Sequence, residues 1–351
     1  MNNHLYYYVT GHTAHGYVNY IEENVSELEQ VIILNHSSHK LKTAVLEQFV
    51  KVMEQDEALE ILQSPLGHGD LDGVIARGRS MAVVADTVID QQLANRLKGV
   101  IEINLAFFMG ETNDIKDHHI WTQYEALTTE AHDWFKKGLD IHDDLEAVYI
   151  NEMDFSKADD CAEAFNKRVL QGNQPIDRDP VIYPRMFGTN TSEGAVNVIP
   201  ELIAPLKRCY YLKGRAGTGK SSFMKEVIEA CASHGLDMEI YYCSFDSHSV
   251  DMVLVRELEF CIFDSTDPHE FFPEDSGDEV IDLYEIAVAQ GTDEKYADTI
   301  HDLTTRYKTC MKRGITKLKD AREWLDEQMQ PQYNQSRAAE DVMTFIRSNV
   351  L

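Results

Sequence analysis

The sequence predicts an α/β protein of two tandem units, each a mainly parallel sheet followed by a helical extension. Three observations carry this. Short apolar runs alternate with segments whose apolar residues recur at helical spacing, as in a parallel sheet covered by helices. The second half of the chain repeats the first. The last part of each half is charged and poor in glycine and proline, as long helices are.

The repeat starts where Gly16-Tyr-Val-Asn-Tyr-Ile21 meets Gly194-Ala-Val-Asn-Val-Ile199, an offset of 178 positions. At that offset Leu28 falls on Leu206, Leu34 on Leu212, Lys42 on Lys220 and Thr43 on Ser221. A one-residue slip sets Glu60 on Glu239 and Asp72 on Asp251, and a compensating slip sets Asp86 on Asp264. The units are therefore 1–172 and 173–351, divided in a stretch at 171–179 rich in Gly, Asn, Asp and Pro.

Within each unit the expected order is the same. An extended segment (6–10; 185–188) precedes a short amphipathic helix and an apolar strand (31–34; 209–212). A loop and helix follow (42–53; 220–233), then a second strand (58–62; 238–243) and a third (81–85; 260–263). The helical extension spans about 118–170 in the first unit. In the second it spans 293–329, with a break expected near Gly314. The stretch 330–335, containing Pro331, separates it from a last helix at 337–348.

At 351 residues the chain can bury two cores. It holds 60 Asp and Glu against 32 Lys and Arg, a formal charge of -28, which repels nucleic-acid backbones and anionic lipid. The start lacks a basic flank and a long apolar run, and nothing approaches the roughly 20 apolar residues of a membrane span. The six cysteines have no clustered spacing and read as structural thiols. The expectation is a cytoplasmic protein, with neither nucleic acid nor membrane as partner.

Chemistry concentrates in Gly214-Arg215-Ala216-Gly217-Thr218-Gly219-Lys220-Ser221, which matches GxxxxGK[ST] between an apolar strand and a helix. Glycines let successive N–H groups point at a phosphate, and the helix N-terminus adds positive potential. Lys220 is expected on the terminal phosphates and the Ser221 hydroxyl on magnesium, with Ser222 beside them. The apolar run 259–263 ends in Asp264, the pattern of a strand-end carboxylate that holds the metal.

These two elements resemble the P-loop NTPase superfamily, and both units then read as P-loop NTPase-like. The chain is similar in particular to a group of bacterial ATPases built from tandem repeats. That resemblance covers most of both halves, through segments such as Cys243-Ser-Phe-Asp-Ser-His-Ser-Val-Asp251-Met-Val and Phe263-Asp-Ser-Thr-Asp-Pro-His269. It implies ATP with Mg2+ and names no substrate. Ser265 follows Asp264 where many ATPases carry a water-polarising glutamate, so the candidates for that role are Asp246, Asp251, His269 and Glu270. Arg185, Arg215 and Arg256 are candidates for neutralising transition-state charge.

In the first unit the loop reads His36-Ser-Ser-His39-Lys-Leu41-Lys42-Thr43, keeping the lysine and hydroxyl but losing the glycines. No nucleotide is expected there. His4, His12, His15, His36 and His39 lack metal-ligand spacing, and the adjacent His118 and His119 face apart on a helix. Tyr6-Tyr7-Tyr8 is expected to be a strand with one buried face, and the acidic run 273–279 a solvated loop. The leading function is an ATP hydrolase that moves helical arms. A small-molecule or nucleotide kinase comes second and a switch with negligible turnover third. An acceptor or a protein partner remains to be named.

Overall fold

The computed structural model describes residues 4–110, 118–329 and 335–350. The first half begins with β1 (Leu5–Tyr8), the hairpin β2 (Thr10–Thr13) and β3 (Gly16–Asn19), and α1 (Ile21–Val25). Then come β4 (Gln30–Asn35), α2 (His39–Met53), β5 (Glu60–Gln63), β6 (Leu71–Ala76) and β7 (Met81–Ala85). It closes with α3 (Gln91–Ala94), β8 (Val100–Asn104), α4 (Ala106–Met109), α5 (His118–Ile150) and α6 (Phe155–Val169).

The second half repeats this order. It opens with β9 (Ile182–Arg185), the hairpin β10 (Gly188–Thr191) and β11 (Gly194–Asn197), and α7 (Ile199–Ile203). Next are β12 (Arg208–Lys213), α8 (Lys220–Ser233), β13 (Met238–Tyr242), β14 (Val250–Val255) and β15 (Phe260–Asp264). The chain ends with β16 (Glu279–Asp282), α9 (Leu283–Ala287), α10 (Thr292–Lys295), α11 (Ala297–Gln328) and α12 (Gln335–Asn349).

Each half holds one six-stranded sheet of the same order, β1-β5-β6-β7-β4-β8 and β9-β13-β14-β15-β12-β16. The sheets are mixed and largely parallel, with β6 and β14 antiparallel to both neighbours. The sequence pattern assigns no strand to either, because Asp72 and Asp251 interrupt their apolar runs. β4 and β12 are interior strands covered on both faces, so Val31–Leu34 and Cys209–Leu212 are buried without alternation. Tyr7 and Tyr8 are both buried, on opposite faces of β1, which corrects the expectation of one buried face.

The helices cross between halves. On the first sheet α12 joins α2, with Ala339, Val342 and Ile346 in one cluster with Val45 and Phe49. On the second sheet α6 joins α8, with Phe165 and Val169 against Phe223 and Val227. Each half thus lends its last helix to the other's core. The remaining sheet faces share a single core that includes Tyr7, Val31 and Val84 from one half and Tyr211, Met252 and Phe263 from the other.

The seam is a local twofold axis. Tyr8 N–H donates to Met186 O at 2.9 Å and Met186 N–H to Tyr8 O at 2.8 Å, and these two residues are repeat equivalents. Beside them Arg185, 2% exposed, pairs with Glu60 and Glu239 at 2.9 Å each. Arg77 and Arg256 close the outer sides of the same carboxylates.

α5 and α11 pack along each other. α11 is continuous through Gly314, correcting the expected break: the residue lacks a side chain because a Cβ there would collide with the Phe135 ring. The last helix forms as expected, while 330–334, with Pro331, lies outside the described residues. The side chains of His118 and His119 also lie outside them. All six cysteines are free thiols. Among the described residues no helix is long and apolar enough to cross a membrane.

Candidate functional site

β12 ends at Lys213 and α8 starts at Lys220, so the glycine loop joins an interior strand to a 14-residue helix. The loop is tied by Thr218, fully buried, whose Oγ1 donates to Arg215 O at 2.8 Å. A Cβ on Gly214 would collide with that hydroxyl. Gly217 has φ +72°, and a Cβ there would come within 2.5 Å of the Glu146 carbonyl oxygen. Gly219 caps α8 without a side-chain hydrogen bond, so the first N–H groups of the helix keep no side-chain acceptor at that cap.

Lys220 Nζ donates to Arg215 O at 2.8 Å and lies 3.7 Å from Asp264 Oδ2. Asp264 comes next to the loop because β15 pairs with β12, setting it opposite Leu212. Ser221 Oγ accepts from Val250 N–H at 3.0 Å, and Ser222 is exposed. Ala216 packs in an apolar cluster with Tyr149. Arg215 points away, onto Asp293 at 2.9 Å and over the Tyr284 ring.

Asp251 and His269 also converge here. Asp251 is buried in β14, and burial, reinforced by the charge of Asp264, pushes its carboxyl up to about 8. His269 Nε2 is 3.8 Å from Asp251 Oδ2, and burial lowers its pKa, favouring the neutral ring. Asp246 stands aside, 2.9 Å from His15 Nε2, and Glu270 is engaged by Lys213 at 2.9 Å. Arg185 and Arg256 are spent on seam carboxylates, and Arg215 on Asp293. The loop at 273–279 is more than solvated acid: Asp278 accepts from Cys209 N–H at 3.1 Å and Tyr211 OH at 3.3 Å.

One wall comes from the other half. Glu146, on α5, lies with its backbone carbonyl against Gly217; burial and then Asp143 raise the pKa of its carboxyl, against the pull of Lys220. His142, one turn earlier, has its pKa lowered by burial and then by Lys220. Sequence reasoning missed these groups. The available signal was the acidic run Asp140, Asp143, Asp144 and Glu146 within a helix, which looks the same when it faces water.

The first half closes the corresponding loop with its own side chains. Lys42, 1% exposed, donates to Asp86 Oδ1 at 2.7 Å, and Thr43 Oγ1 accepts from Leu71 N–H as Ser221 does from Val250. Buried His39 stands at the Gly217 place, and Ser38 caps α2 by accepting from Leu41 N–H at 3.3 Å. Here α11 takes the part of α5: Asp326 meets Lys40 at 2.8 Å and Arg322 pairs with Asp70. In the second half, by contrast, side-chain-free glycines, an uncapped helix end, a lysine and a hydroxyl–carboxylate pair suit a phosphate chain with a hard divalent cation. No family model matches the chain, and neither a curated protein nor a solved structure matches it.

Proposed function

We propose that this protein binds ATP with Mg2+ at Gly214–Ser221 and hydrolyses it as a P-loop NTPase, moving α5 relative to α11 in the process. The observation that carries the reading is the strand–glycine loop–helix unit whose Lys220 stands 3.7 Å from the strand-end carboxylate of Asp264. Loop N–H groups and Lys220 would hold the phosphates, and Ser221 with Asp264 the cation. A magnesium ion bound there supplies charge neutralisation of the phosphate oxygens. Asp251 and His269, side by side at the rim of the same loop, are the pair we assign to the proton of the attacking water.

Coupling follows from Glu146. Its backbone lies against Gly217, so a phosphate entering the loop would push on this end of α5. The kinase reading comes second, with Glu270 and Asp267 of the acidic stretch meeting Lys213 and Lys308.

Phosphate release measured with and without added acceptors tests this proposal. Acceptor-free release that vanishes in Lys220→Ala, with much weaker Mg-ATP binding and an unchanged circular dichroism spectrum, is the expected result. Wild-type nucleotide affinity in Lys220→Ala would remove the site assignment.

A further inference from the structure

We propose that the two halves jointly build a transition-metal site of the zinc class from His15, Asp246 and His248. The site does not depend on the nucleotide reading. His15 lies in the turn between β2 and β3, and Asp246 and His248 lie in the loop from β13 to β14. His15 Nε2 is 2.9 Å from Asp246 Oδ1, and His248 Nδ1 is 3.8 Å from the same oxygen. One ligand atom from each of the three lies within 4.8 Å of the others, and the two imidazole centroids are 4.1 Å apart. Bonds of about 2.0–2.2 Å to a common ion need rotation of exposed His15 and His248 and half-buried Asp246.

The backbone beneath the cluster is pinned across the seam. Ala14 N–H, next to His15, donates to Phe245 O, next to Asp246, at 2.9 Å. Asn190 Nδ2 donates to both His12 O and Ser244 O at 2.9 Å, and Asp246 Oδ1 also accepts from His248 N–H at 3.0 Å. The ligands therefore sit on a scaffold already fastened, which keeps the ordering cost of metal binding low. Two imidazoles with one carboxylate favour zinc-like ions over Mg2+, which prefers oxygen. Three protein ligands leave the remaining position for water or a substrate oxygen.

The repeat supplies an internal control. On the opposite side of the twofold axis the equivalents of His15, Asp246 and His248 are Glu193, Gly67 and Gly69. The two loops share their framework: Cys243 N–H bonds Ser249 O as Ser64 N–H bonds Asp70 O, each at 3.0 Å, and Ser249 N–H bonds Asp246 O as Asp70 N–H bonds Gly67 O. The loops keep these bonds but differ in conformation, since Gly69 has φ +82° where His248 does not, and Asp246 Oδ1 holds His248 N–H where Gly67 has no side chain. What distinguishes this copy is three ligand-type groups facing one another.

The test is calorimetric titration of the full chain with Zn2+ in excess Mg2+, with Co2+ absorption as a second readout. We expect one Zn2+ per chain, and a visible Co2+ spectrum of a nitrogen–oxygen ligand set. His15→Ala and His248→Ala should each weaken binding beyond the roughly 10–100-fold typical of outer-shell changes, with circular dichroism unchanged. Lys220→Ala and His142→Ala should bind Zn2+ as the parent does, so a failed nucleotide assignment would leave this result readable. Parent-like Zn2+ affinity in both His15→Ala and His248→Ala, or loss in His142→Ala instead, would overturn the proposal.

Discussion

Asp264 and Glu60 show how position decides what a carboxylate does. Asp264 lies at a strand end beside Lys220, where a charge can hold a cation. Asp264→Asn keeps the shape and removes the charge, so the gain in ATP affinity on adding Mg2+ should shrink; isothermal titration with and without Mg2+ measures it, and an unaltered gain would reduce Asp264 to a strand terminus. Glu60 lies in the seam. Burial alone raises its carboxyl, but Arg185 and Arg77 outweigh burial and hold it at about 2, against 4.5 unperturbed. Because the folded value lies below the unfolded one, the carboxylate stabilises the fold above about pH 4.5, and that share is lost as pH falls toward 2. Glu60→Gln should therefore be less stable near pH 7 by about 3 kcal/mol, the low end for breaking a buried pair. The gap to the parent should narrow as the medium is acidified. Denaturant unfolding at both ends of the range checks this, and a gap independent of pH would contradict it.

At the scale of elements, one strand–loop–helix design occurs twice with opposite outcomes. In α8 the end is uncapped and glycine-lined; in α2 Ser38 caps the end, His39 fills the loop and Lys42 is buried on Asp86. Titration with ATP should accordingly give one site per chain. Lys42→Ala should leave nucleotide affinity unchanged yet lower stability by roughly 3–5 kcal/mol, since it strips one partner from a buried ion pair. Two nucleotides per chain, or weakened binding in Lys42→Ala, would show that the first loop is a working site. The long helices complete both designs: α5 sets the Glu146 backbone against Gly217, while α11 sets Asp326 on Lys40.

The whole molecule is two sheets that cannot be parted cleanly. α6 covers the second sheet and α12 the first, and the seam buries Arg185 between acids from both halves. Residues 173–351 alone would expose Phe223 and Val227, normally covered by Phe165 and Val169, and would strand Arg185 without Glu60. Neither half expressed by itself should unfold cooperatively, whereas the two co-expressed should copurify and regain near-ultraviolet dichroism. A monomeric, cooperatively unfolding fragment of either half would refute this. The halves also meet at the glycine loop of the second, whose wall is the first half's α5.

What could be read from the sequence alone was local or repeated. The strand, loop and helix around Lys220 are legible because the apolar run, the glycine spacing and the helical period all lie within about thirty residues. The duplication is legible because its offset barely drifts, and the α/β class follows from both. Tertiary structure alone decided that α6 and α12 exchange sheets, that Gly314 is a contact rather than a break, and that His15 meets Asp246. It also decided that Glu146 closes over Gly217. These contacts join residues tens to hundreds of positions apart, and such pairings leave no periodic trace in a sequence. An acid on a helix has the same neighbours in the chain whether it faces water or a glycine loop; only packing separates the two.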